Sequence, residues 1–205
     1  MKCVRVAGVL AIVIGLVATG CSIKRATLNQ FVDPSFGPGT ISSVAVFPIK
    51  NTRLAPSEAQ QINRKISQAI HARSPGLEIM SSAEATRKLN SAGLVETWAN
   101  FIDDYVTGGI PNATDLRTIG RALGVDAIMQ GEIVSVQQRD GAYGYTRGST
   151  RVTVRFSMLG TKDAKLLWES SSDGIRATAT TMDVAPPVIE AITLAVDKIC
   201  ENLPF

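Results

Sequence analysis

The chain has 205 residues, 45% of them hydrophobic, with 21 basic and 18 acidic side chains, three cysteines and one histidine. That length suits one domain with small additions, and no basic run is present to grip a phosphate backbone, so nucleic-acid binding has no electrostatic support. One histidine and three scattered cysteines supply too few ligands for a Cys/His metal site, and neither a metal nor a cofactor is expected.

The N-terminus reads as an address. Lys2 and Arg5 make a short positive region, and Leu10, Ile12, Val13, Ile14, Leu16 and Val17 make an apolar one. The apolar stretch is shorter than the ~20 residues of a membrane-spanning helix and has the length of a secretory signal. Small residues Ala18, Thr19 and Gly20 lead directly into Cys21. This resembles the bacterial lipobox, in which the cysteine thiol takes up a diacylglycerol before cleavage; the alternative is an ordinary signal peptide with a chance cysteine. The resemblance implies a leader over residues 1–20, a palmitate-type anchor on Cys21 and, with Ser22 in the second mature position, sorting to the periplasmic face of the outer membrane. Loss of Lys2 and Arg5 with the leader leaves 19 basic against 18 acidic residues, a net charge of +1.

Cys3 would leave with the leader and Cys21 would be acylated, so no internal disulfide remains possible. Cys200 sits in an apolar helical pattern and reads as a small buried hydrophobe, with pairing between chains as the alternative.

Residues 22–40 show no convincing period, and Pro34, Gly37, Pro38 and Gly39 interrupt regular structure. They read as a tether of roughly 60 Å when extended, unless Phe31 and Phe36 pin it to the domain. The single domain is expected over 41–205. Ser42–Ile49 is a buried strand. Pro56 opens a helix, with Ser57 or Asn51 as candidate caps, and Ile62, Ile66 and Ile70 form its apolar stripe. Leu77–Met80 is a second strand. Ser81 or Ser82 caps a helix through Ala85 and Leu89, and a further helix runs from Leu94 to Tyr105. Asn112 or Thr114 caps the next, which ends at Gly124. Val125–Val136 is a long strand, Arg151–Met158 alternates strictly, and a turn at Thr161–Ala164 leads to a third strand around Trp168. A last helix runs from about Pro187 to Asn202. The order predicts an α/β (α+β) fold, with a mixed sheet of about five strands, parallel early and an antiparallel meander late.

No motif names a reaction. His71 sits near a helix C-terminus, where a cation is favoured, and no GxSxG elbow accompanies it. Asp103 and Asp104 point about 100° apart on a helix and read as surface charge. The glycines of GAYGYTRG join two strands, not a strand and a helix, so no phosphate cradle forms. With Tyr143, Tyr145 and Arg147, that loop is either a protein-binding surface or a plain hairpin tip. Arg151 and Arg155 lie on the wetter face of the alternating strand, as contact residues or as solubilising charge.

Three segments, ISSVAVFPIKNTR (41–53), LRTIGRALGVDAIMQGEIVSV (116–136) and RVTVRFSMLGTKDAKLLWESS (151–171), together resemble a group of envelope proteins. The group comprises the periplasmic domain of the curli secretion channel subunit, the lipoprotein activators of penicillin-binding proteins and the N-terminal domain of TolB. The resemblance implies a non-enzymatic accessory or assembly factor for an envelope machine, binding another protein. Membership beside the curli subunit also implies a rival, an oligomeric secretion component. That subunit carries membrane-spanning hairpins where this chain has only the short polar QQRDGAYGYTRGST. A third reading, a peptidoglycan-acting enzyme, requires a carboxylate pair of perturbed pKa across a cleft.

Overall fold

The computed structural model describes residues 22–50 and 53–205. The leader, the expected lipidation site Cys21 and the candidate cap Asn51 lie outside the described residues.

The described residues form one six-stranded mixed sheet with helices on both faces. Its order is β1 (Ile23–Val32), β6 (Leu166–Ala177), β5 (Ser149–Gly160), β4 (Ala127–Arg139), β2 (Ser43–Val46) and β3 (Glu78–Met80). The parallel pairs are β2 with β3 and β2 with β4; the rest are antiparallel. The expected class therefore holds, with six strands instead of about five. The parallel part comes early because helices connect its strands, and the late meander is antiparallel because hairpins connect it.

The sixth strand corrects the reading of residues 22–40 as a tether. Ile23 to Val32 pair with β6 over the whole of β1, in register from Ile23 opposite Ala177 to Val32 opposite Trp168. Leu28 packs against the core, and Gln30 Nε2 donates to the Asn202 carbonyl at 3.0 Å. Beyond β1, Asp33 N donates to Leu167 O at 2.9 Å. The Asp33 carboxylate accepts from Ser35 N at 2.8 Å and from Lys165 Nζ at 2.9 Å. The Ser35 hydroxyl, then Lys165, hold the Asp33 carboxyl down at about 2. Phe36 is buried edge-on against Phe205, with centroids 5.9 Å apart. Of the two candidate pins Phe36 is the one used, and Phe31 stays exposed.

Strand alternation splits the core into two layers. Val44, Val46, Ala127, Met129 and the stripe Val152, Val154, Phe156 and Met158 face α1 (Pro56–Arg73) and α5 (Val188–Cys200). Ala45, Phe47, Ile128 and Leu159 face α2 (Ser82–Ala92), α3 (Val95–Gly108) and α4 (Ala113–Leu123) on the other side. Ser81 caps α2, its hydroxyl accepting from Glu84 N at 3.3 Å. Asn112 caps α4, accepting from Thr114 N at 3.0 Å and Asp115 N at 3.3 Å. At α1 the cap position falls on Ala55, whose N–H donates to Glu58 Oε2 at 2.9 Å, so Ser57 lies inside the first turn and does not cap.

Close approach of α5 to β6 depends on small side chains. A Cβ on Gly174 would lie 1.9 Å from the Ala191 carbonyl oxygen, and Ser170 and Ser172 line the same buried row. Cys200 is half-buried against this core. Burial pushes its thiol up to about 11, so it stays protonated and weakly nucleophilic, as a packing residue should.

Candidate functional site

Helices α2 to α4 cover one sheet face only over its parallel part and the adjoining ends of β4 and β5. Over the antiparallel part that face is polar. Arg155 donates from Nε to Glu132 Oε1 at 2.5 Å, and its Nη2 pairs with the same oxygen. Thr153 Oγ1 donates to Asp173 at 2.7 Å, and Ser157 Oγ to Glu169 at 3.0 Å. Tyr105, in the last turn of α3, is buried, and burial raises its pKa. Arg155 thus belongs to an inner network of paired charges.

The other four candidates gather at one end of the sheet. Arg139, Ser149, Ala177 and Ile23 form a single row across β4, β5, β6 and β1. Just beyond it lie the loop 140–148 and the segment 178–187. Gly141 N donates to Asp183 O at 2.9 Å, Ala185 N to Asp140 Oδ1 at 2.8 Å, and Thr178 N to Gly148 O at 2.9 Å. Thr150 Oγ1 and Gln138 Nε2 both donate to the Pro186 carbonyl, at 2.5 and 3.2 Å. The two segments therefore form one tip on a hydrogen-bonded base. Its glycines permit the contact: a Cβ on Gly148 would sit 2.4 Å from Asp183 O, and one on Gly141 2.6 Å from Thr181 O.

Tyr143 and Tyr145 project from the tip with 77% and 89% of their surfaces exposed, and Arg147 is exposed beside them. Arg151 lies one step inside the end row, where β6 places Ile175 between it and Arg25 of β1. The distance along β5 from Ser149 to Arg155 is roughly 20 Å, which separates Arg155 from the tip. Sequence reasoning missed Met182 and Val184, which are 66% and 75% exposed on the same tip. Their signal was present, two apolar residues in TTMDVAPP outside any helical stripe, but nothing local joins that stretch to residues 140–148.

An open cleft of about 740 Å³ lies at the opposite end, lined by Thr114, Arg117, Arg121, Asp126, Thr161 and Lys162 among others. Asp126 directly precedes β4, and its carboxylate is structural. It accepts from Ser42 N at 2.9 Å and Ser42 Oγ at 2.6 Å, and pairs with Lys162 at 3.3 Å. The Ser42 hydroxyl, before the other contacts, brings its pKa down to about 2. Asp126 thereby ties the start of β4 to the start of β2. Asp103 pairs with Lys50 at 2.5 Å, and His71 is exposed in the last turn of α1. Among the described residues no group of three or more His, Cys, Asp or Glu is placed to hold a metal ion.

No protein-family model matches the chain, and no curated protein matches it. Solved structures do. One is the PelC dodecamer from Paraburkholderia phytofirmans, 16% identical, covering 88% of this chain and 99% of that one with a TM-score of 0.48. Lipoprotein GNA1162 from Neisseria meningitidis is 15% identical over 78% of this chain and 99% of that one, with a TM-score of 0.40. The LpoB C-terminal domain from Salmonella enterica is 11% identical over 69% of this chain and 86% of that one, with a TM-score of 0.41. The likeness is one of fold alone.

Proposed function

We propose that this protein is a lipid-anchored component of the cell envelope, held on the periplasmic face of the outer membrane through Cys21, and that its domain binds a protein partner instead of transforming a substrate. The observation that carries the reading is the edge of the sheet that no other described strand covers. β1 is a ten-residue edge strand. Its outer row of backbone donors and acceptors is a template for a strand from another chain. Phe31 and Val32, 46% and 38% exposed, add apolar surface near its far end. The carboxylates that the fold buries also serve structure: Asp33 holds Ser35 and Lys165, and Glu132 holds Arg155. That use is what a binding domain needs, and it leaves those groups committed.

The same edge admits a second copy of this chain, which is the secretion-component reading. A photo-reactive residue at Phe31, activated in cells, separates the two. Capture of one defined envelope protein, abolished by Val32→Asp, supports an accessory factor. A ladder of self-adducts, with a detergent-solubilised mass of several hundred kilodaltons, identifies a ring. Labelling with neither overturns binding through β1.

A further inference from the structure

The start of β1 sits one residue from the expected anchor. Ser22 alone separates Cys21 from Ile23, so their Cα atoms lie no more than about 7 Å apart. Ile23 is paired to Ala177, Ala177 to Ser149 and Ser149 to Arg139. Whatever surface holds the acyl chains of Cys21 therefore lies beside that end row, and beside the tip built on it. A domain on a 19-residue tether would be free of this constraint; a domain that begins in the sheet is not.

The tip has the composition of a headgroup-seeking surface. Tyr143 and Tyr145 combine a large apolar body with a polar end, the combination enriched where protein meets the membrane–water interface. Met182 and Val184 add apolar surface that no part of the described chain covers. Exposed Arg147 lies in the loop itself, and exposed Arg139, Lys24, Arg25 and Arg151 lie in the end row or within two steps of it. Facing these are Asp140 and Asp183, which accept from Ala185 N and the Thr180 hydroxyl, and Glu190, which pairs with Arg176. The five cations suit anionic lipid headgroups, and the hydrogen bonds between the two segments hold the four apolar side chains on a firm base.

We propose that this tip docks on the lipid surface that anchors Cys21, with Tyr143, Tyr145, Met182 and Val184 at headgroup depth and the basic residues around them on anionic lipid. The inference rests on anchoring at Cys21. It moves the two tyrosines from protein contact to membrane contact, and leaves the far part of β1 for a protein partner.

The test uses the full-length acylated protein, reconstituted in vesicles of phosphatidylethanolamine and phosphatidylglycerol with bromine on the acyl chains. A fluorophore is placed on a single cysteine in a Cys200→Ser background, at Tyr145→Cys, at Met182→Cys, or at Asp163→Cys in the β5–β6 turn at the opposite end. The expected result is quenching about threefold stronger at 145 and 182 than at 163, reduced in a Tyr143→Ser background and when phosphatidylglycerol is omitted. Equal quenching at all three positions, in protein that floats with the vesicles, overturns docking of the tip while leaving the anchor intact. Protein that does not float overturns the anchor, and the inference with it. In cells, a photo-reactive residue at Tyr145 that captures a protein and not lipid also overturns it.

Discussion

Single residues decide two of the tightest points in the fold. At Gly174 the side of β6 must admit the backbone of α5, and a methyl group there would overlap Ala191 O. Gly174→Ala should cost about 3 kcal/mol through forced separation of strand and helix, read as a Tm lower by roughly 6–12 °C for a domain of this size. Asp126 works through charge. Its folded pKa of about 2 lies below its ordinary 3.8, so its contribution is complete above pH 3.8 and disappears as the pH falls through about 2. Asp126→Asn should lose about 2 kcal/mol at neutral pH, the worth of hydrogen bonds to a charged group. The gap between variant and wild type in urea midpoint should narrow below about pH 3. A gap that stays constant into acid would show that Asp126 acts through packing alone.

At the scale of elements, β1 is the part that the sequence concealed, and its position explains why. An edge strand with solvent on one side and an open sheet face has no strict alternation to display: only Ala26 and Leu28 are partly covered, and every other residue of β1 is exposed. The alternation of β5 was legible because Val152, Val154, Phe156 and Met158 all face one buried layer. Caps at Ser81 and Asn112 were legible because they are local chemistry, whereas the start of α1 at Ala55 carries no capping side chain to announce it. The glycines of the 140–148 loop were visible, but their purpose was not. Gly141 and Gly148 make room for residues 178–187, and that contact spans more than thirty positions of chain. The loop's tyrosines and Arg147 could be picked out as a group, yet Arg155 was grouped with them only because alternation cannot show that Glu132 lies across from it. Hydrogen exchange checks the new strand directly. Amides of β1 that bond to β6 should exchange at least tenfold more slowly than those facing outward, in alternation. Uniformly fast exchange over residues 23–32 would restore the tether.

For the whole molecule, anchoring at Cys21 would set an orientation. If Cys21 carries the proposed anchor, a chain that enters the sheet two residues later holds one end of the sheet beside the lipid surface and turns the other away. The cleft containing Arg117, Arg121 and Lys162 lies at that far end. Phe31 is about 27 Å along β1 from Ile23, within reach of a partner standing off the bilayer. Deletion of residues 23–32 should therefore do two things at once: lower the melting temperature, because β6 loses its neighbour, and move the proposed anchor next to Asp33, at the opposite end of the sheet.

Every part of this orientation depends on Cys21. The decisive measurement is the intact mass of the protein from the membrane fraction of its host, beside a Cys21→Ser variant. The account predicts a chain that begins at residue 21 and exceeds its polypeptide mass by a diacylglyceryl group and an N-linked acyl chain, and a variant that keeps residues 1–20. An unmodified mature chain recovered in the soluble fraction would contradict it.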